Sequence, residues 1–331
     1  MTMKLSKNIA ALACAAVLAL TLSSCSGGAG AAGESGGSGA GAGKKIGLIM
    51  LQGDTYFQGI QTGLEEAVKA DGGSVTTGLS NNDPATENQV ALNMIQAKMD
   101  AVLIQPTADE ASLATMKAIK DAGITLICYG NCVGATADPA NVDGVIQSDN
   151  TALGTGTGEA AAKYLKEKVG DTVKLAILNC DVASACKLRK TGFLDALKAA
   201  GIKVDVVTDQ EAYLTDKATP VAENILTANP DVDVFWASND GGTAGAVIGT
   251  KGSKKPVFGT DISTQIAGFI LEADGNLQAT TGQDPVGTAK GAYEMAKKVM
   301  AGEKLDKHSV ELPGIVYDRA NPETTNKFLG K

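Results

Sequence analysis

Asp54, Thr55, Tyr56 and Phe57 lie just beyond an apolar run at 46–51, after Gln52-Gly53. A carboxylate beside two aromatic rings suits a sugar, whose hydroxyls take a charged acceptor and whose C–H faces take ring surface. Asp54 would equally serve as the N-cap of a following helix, and Phe57 as a core residue. Material for nucleophilic catalysis is scarce. The one histidine, His308, lies in a lysine-rich polar stretch where an exposed surface position is expected, so Ser/His/Asp and Cys/His arrangements are out of reach and no enzyme is expected. The run Gly154-Thr-Gly-Thr-Gly158 has neither GxGxxG spacing nor a following Lys-Ser/Thr, so its glycines read as close helix packing rather than a phosphate loop. Trp236, inside an apolar run at 232–237, reads as core.

Cysteine chemistry points to export. Lys4 and Lys7 precede an apolar run at 9–20, shorter than the ~20 residues a membrane span needs, so residues 1–24 read as a signal peptide. The run ends in Leu22-Ser23-Ser24-Cys25, which resembles the lipobox of bacterial lipoproteins. That likeness implies a diacylglycerol on the Cys25 thiol and attachment to the outer face of the cell membrane; the alternative is ordinary secretion with a free thiol. Residues 25–43, nearly all Gly, Ala and Ser after the cysteine, read as a flexible tether. Cys128, Cys132, Cys180 and Cys186 remain, an even number in an oxidising compartment. Three pairings are open. Short separations favour two local loops, Cys128 with Cys132 and Cys180 with Cys186. Zinc is disfavoured because neither pair has CxxC spacing and no histidine is near; no metal or cofactor is expected.

The elements that must position these groups alternate in type. A strand at 46–51 is followed by apolar residues at helical spacing, Ile60, Leu64, Ala67 and Val68. A polar strand at 74–79, a helix from Thr86, a buried strand at 101–104 and a strand at 124–128 continue the rhythm. Thr107 and Glu110 read as a capping box opening another helix. The pattern restarts with strands at 173–178, 204–208, 232–237 and 256–259 and helices at 187–200, 219–228 and 241–251, Thr219-Pro220 serving as a helix start. Asp100-Ala-Val-Leu-Ile-Gln-Pro and Asp233-Val-Phe-Trp-Ala-Ser-Asn occupy equivalent places in the two halves. The fold class is therefore α/β: two similar three-layer lobes, each an open parallel sheet, with ligands expected at the carboxyl ends of the strands. A net charge of −8 and the lack of any Lys/Arg run exclude nucleic acid as a partner.

From Lys44 to Lys331 the chain resembles the ribose- and galactose-binding branch of type I periplasmic binding proteins, which serve ABC transporters. The resemblance is carried by 46–57, Asn81-Asn82-Asp83-Pro84, 103–107, Ser148-Asp149-Asn150, Gly192-Phe193, 229–232, Ser238-Asn239-Asp240, 258–261 and 280–283. It implies lobes at 44–147 plus 284–311 and 148–283 plus 312–331, joined by three crossovers and closing on a ligand. It implies ligand contacts from Asp54, Tyr56 and Phe57 in the first lobe, Tyr213, Asn239 and Asp261 in the second, and Gln283 at the hinge. Two departures stand out. Gly130-Asn131 replaces an Asp-Arg pair, leaving Asn131 to meet a hydroxyl, and Lys187, or Arg189 two residues on, replaces an arginine. The two cysteine pairs are expected to stiffen the loops where these departures fall. The resemblance further implies a monomer that delivers a monosaccharide or polyol to an ABC permease. Alternatives are a sensor presenting a sugar or quorum signal to a membrane receptor and, far behind, acid–base chemistry by Asp54 and Asp261. A repressor is excluded, since a signal and tether stand where its headpiece would be.

Overall fold

The computed structural model describes residues 43–331. The signal peptide, Cys25 and the tether up to residue 42 lie outside the described residues. The first run of elements is β1 (Lys45–Met50), α1 (Thr55–Ala70), β2 (Ser74–Leu79), α2 (Pro84–Gln96), β3 (Ala101–Ile104), α3 (Leu113–Asp121), β4 (Thr125–Tyr129) and β5 (Gly144–Ser148). The second is α4 (Asn150–Lys168), β6 (Thr172–Asn179), α5 (Ser184–Ala199), β7 (Lys203–Glu211), α6 (Thr215–Ala228), β8 (Val234–Ala237), α7 (Asp240–Gly249) and β9 (Val257–Thr260). α8 (Thr264–Leu271), β10 (Leu277–Gly282), α9 (Pro285–Met300), β11 (Ser309–Leu312), β12 (Ile315–Asp318) and α10 (Glu323–Phe328) complete the chain.

The strands form two sheets of six, ordered β11-β5-β4-β3-β1-β2 and β12-β10-β9-β8-β6-β7. All pairs are parallel except β12 with β10, which is antiparallel. The chain passes between the sheets after β5, after β10 and between β11 and β12. Both faces of each sheet are covered, which is why the central strands read as continuous apolar runs. Along β1, Ile46, Leu48 and Met50 pack with α1 and α9, while Ile49 joins the opposite cluster with Met94 and Met116. Along β8, Phe235 and Ala237 meet α6 and α7, and Trp236 faces the other way, fully buried and stacked on Phe193 at 4.8 Å.

The Asp100 and Asp233 segments are structurally equivalent. The Asp100 carboxylate accepts from the Lys45 N–H at 2.8 Å and that of Asp233 from the Lys174 N–H at 2.9 Å. Each thus ties the start of its strand to the first strand of its own sheet.

Three local expectations are corrected. Thr107 caps no helix: its N–H donates to the buried Glu87 carboxylate at 2.7 Å, its hydroxyl to Ser80, and α3 starts only at Leu113. Pro220 lies inside α6, which begins at Thr215. The proline cannot bond the Asp216 carbonyl, but both residues are exposed and water can. His308 is half-buried, with its ring 3.1 Å from the Ala137 carbonyl.

Candidate functional site

The loops and helix starts at the carboxyl ends of the two sheets line a groove of about 2130 Å³. Asp54, Tyr56 and Gly59 come from the first lobe, Asp240, Asp261 and Ser263 from the second, and Gln283 and Asp284 from the crossover after β10. The groove exceeds the ~300–1,000 Å³ of an ordinary small-molecule pocket because it continues along α10.

Asp54 combines its two expected roles. It caps α1, accepting from the Phe57 N–H at 3.2 Å and from the Gln52 amide at 2.5 Å, and it also lines the groove. Tyr56 and Phe57 diverge, since successive helical residues point about 100° apart. Tyr56 lines the groove, whereas Phe57 packs into the first-lobe core at 3 % exposure, with Tyr56 edge-on to it at 5.2 Å. The Phe57 ligand expectation is corrected accordingly. The Tyr56 hydroxyl is shut from solvent without a hydrogen bond; the nearby Thr288 hydroxyl donates to the Asp284 carbonyl at 2.8 Å instead. Burial, with the charges of Asp54 and Asp261 adding, pushes its pKa well above the ordinary phenol value.

The second-lobe wall is organised by Arg189, buried on α5. Its guanidinium reaches Asp261 at 2.9 Å, the Ser238 carbonyl at 3.1 Å and the Asn150 side chain at 3.0 Å. Asp261 sits in the left-handed region at φ 72°, a conformation costing of order 1 kcal/mol or more that persists because its surroundings fix it. Its N–H donates to the Thr281 carbonyl and its own carbonyl accepts from Thr280. Gln283 links this wall to the hinge, donating to Asp261 at 3.4 Å and accepting from Ser148 at 3.0 Å. One network therefore joins two crossovers, Arg189 and Asp261.

Lys187 is corrected. It is exposed and lines no part of the groove, because two residues on a helix turn the side chain about 200° away from Arg189. Asn239 is occupied locally: it caps α7 through the Gly242 N–H at 3.1 Å and donates to the Tyr213 carbonyl at 2.9 Å. Neither Asn239 nor the half-buried Tyr213 lines the groove, and Asn131 is exposed outside it. Beside Asn131, Gly130 adopts φ 78°, and a Cβ there would lie 2.1 Å from Gln105 Oε1. Gln105 thus occupies the space that a side chain at 130 would need, and its own oxygen has no hydrogen-bond partner.

Cys128 is joined to Cys132 and Cys180 to Cys186. The first bridge encloses Gly130-Asn131 at the end of β4. The second ties the end of β6 to the first turn of α5, one turn before Arg189, with Cys180 Sγ 3.1 Å from the Ser238 hydroxyl.

Sequence reasoning missed Asp240, Asp284 and Gln105. Asp284 caps α9 through the Gly287 N–H at 2.8 Å. Asp240 Oδ2 is shut from solvent and unpartnered. Burial pushes its carboxyl pKa up, against the pull of the neighbouring Ser263 hydroxyl, and the charge of Asp261 adds to the rise. A raised folded-state pKa means that the folded protein binds the proton more readily than the unfolded chain. Asp240 therefore favours the fold below the ordinary carboxyl pKa and loses that contribution as pH rises through its folded value. Asp240→Asn should accordingly melt higher than the parent at pH 7, with the gain vanishing below about pH 4; a lower melting temperature at pH 7 would contradict this.

Residues 46–304 match the family described as periplasmic binding protein domain, and the chain belongs to it. The chain is 30 % identical over 256 residues to the ribose import binding protein RbsB of Bacillus subtilis, covering 76 % of this chain and 80 % of that one. It is 29 % identical over 228 residues to the ABC transporter periplasmic-binding protein YphF of Escherichia coli, covering 67 % and 70 %. Among solved structures, an ABC transporter solute-binding protein from Actinobacillus succinogenes with bound D-allose superposes with a TM-score of 0.71 at 24 % identity, covering 85 % of this chain and 99 % of that one. That likeness shows the fold, two parallel-sheet lobes. These curated relatives are named as binding proteins of transporters, not as enzymes.

Proposed function

We propose that the protein captures a monosaccharide or related polyol between its lobes and delivers it to an ABC permease, as a monomer held at the outer membrane face by a lipid on Cys25. The observation that carries the reading is the network of Arg189, Asp261 and Gln283 at the hinge, opposite Asp54 and Tyr56. Charged acceptors, amide groups and an aromatic ring around one groove match the hydroxyls and C–H faces of a sugar. Relatives named for ribose import support the same class. Asp54, Tyr56, Asp261 and Gln283 are the proposed ligand contacts, and Arg189, of the two basic residues considered, is the one that holds Asp261 in place from behind the groove wall. Among the described residues no helix is long and apolar enough to cross a membrane, so any attachment would fall to the segment before residue 43.

A thermal-shift screen of pentoses, hexoses, deoxysugars and polyols tests capture, since a ligand at ~100 times its Kd stabilises the fold by about 2.7 kcal/mol. A rise of several degrees with one group of them is expected; no shift with any at millimolar concentration would sink the sugar class. In the same cells Cys25→Ser should move the protein from the membrane fraction to the soluble or secreted one, and unchanged membrane retention would remove the lipid from the proposal.

A further inference from the structure

The charges on the groove walls do not balance. Beside the strand ends the second-lobe wall presents two carboxylates, Asp240 and Asp261, and Arg189, buried behind them, is committed to Asp261. Its other bonds go to the Ser238 carbonyl and Asn150. Asp240 forms no ion pair with any described lysine or arginine, and one of its oxygens is buried without a partner. Lys187 is turned away, and Lys327 and Lys331, which line the groove's α10 end beside Glu323, are exposed and form no ion pair with Asp240. Asp54 and Asp284 add negative charge but are partly offset, because each caps a helix and bonds its N-terminal N–H groups. Asp240, in the first turn of α7, shares the dipole's offset but takes no N-terminal N–H bond, since the cap of its helix is Asn239.

Asp240 is only half-buried, but its Oδ2 is shut from solvent, and a carboxylate oxygen left there without a partner is more costly than a missing neutral hydrogen bond. A sugar hydroxyl at Asp240 would supply the hydrogen bond and leave the charge unmatched, whereas an ammonium supplies both. A metal ion is the other cation to consider, but among the described residues no three His, Cys, Asp or Glu side chains are grouped to hold one. The negative field also reaches the facing wall, where Asp54 and Asp261 add to the rise in the Tyr56 pKa that its burial causes.

We infer that, within the sugar-or-polyol reading on which this rests, the groove selects a hydroxylated ligand carrying a protonated amine, an amino sugar or amino polyol, with Asp240 receiving the ammonium. Titration calorimetry at pH 7 would compare three sets: hexoses and inositols, their amino-deoxy counterparts, and the N-acetylated amines, which keep the substituent and lose the charge. The amines should bind at least about tenfold tighter than both other sets, and Asp240→Asn, checked for folding by circular dichroism, should erase that preference; Asp240→Ser serves as the second variant. If the neutral parents or N-acetyl forms bind as tightly as the amines, or if the folded variants keep the preference, the amine inference is overturned while sugar capture stands. If no member of any set binds the unaltered protein, sugar capture fails and the inference falls with it.

Discussion

An Arg189→Ala protein should lose its ligand-induced rise in melting temperature and be about 3–5 kcal/mol less stable than the parent. Arg189 and Asp261 are 8 % and 20 % exposed in their side chains, so the truncation leaves a carboxylate largely buried without its partner. It also strands the Ser238 carbonyl and the Asn150 side chain, each of which accepts from the same guanidinium. Arg189→Lys should restore part of the stability and little of the binding, because one ammonium cannot reach three acceptors held in the geometry of a planar fork. Chemical denaturation of the three proteins, with thermal shifts measured beside it, separates the two effects. Full binding by the alanine variant would remove Arg189 from the site; a stability loss below about 1 kcal/mol would mean that water replaces it.

Why the sequence led to Lys187 as well as Arg189 is a matter of helical phase. Cys186, Arg189, Gly192 and Phe193 are all buried, a spacing of three and four that marks one face of α5, and Lys187 falls off that face. The signal was present in the chain and pointed to the arginine. The alternation of strands and helices, the two aspartates that begin equivalent strands and the core position of Trp236 were legible for a similar reason, since each rests on local periodicity. What resisted were positions settled by distant partners. Thr107 has the spacing of a cap, but Glu87, twenty residues earlier in the chain and buried on α2, claims its N–H. Asn239 stands at the end of β8 where a ligand residue is expected, yet the Tyr213 carbonyl from another loop takes one of its two N–H donors and the Gly242 N–H takes its oxygen. Asp240 escaped notice because its distinguishing feature is a missing partner, and a sequence carries no record of that.

The second large effect concerns the glycines first read as close helix packing. A Cβ on Gly154 would lie 1.8 Å from the Arg189 carbonyl oxygen, and one on Gly192 would lie 2.1 Å from the Thr151 carbonyl oxygen. The obstacles are backbone atoms, so no rotamer change can relieve them and α4 and α5 must separate. Gly154→Ala should therefore cost about 3 kcal/mol, near the upper end for overpacking, despite the usual gain of an alanine over glycine within a helix. Gly268→Ala is the matched control: it lies on α8 with nothing within 4 Å of the added carbon, and should raise stability by ~0.5–1 kcal/mol. The Gly154 substitution should also weaken ligand binding by about tenfold or more, since α5 carries Arg189 and a separation of an ångström takes the guanidinium out of bonding range of Asp261. Denaturation midpoints and ligand titration of both variants give the answer. If Gly154→Ala destabilises the fold yet binds ligand as the parent does, then Arg189 is positioned by its bonds to Asn150, Ser238 and Asp261 and not by the packing of α5 on α4.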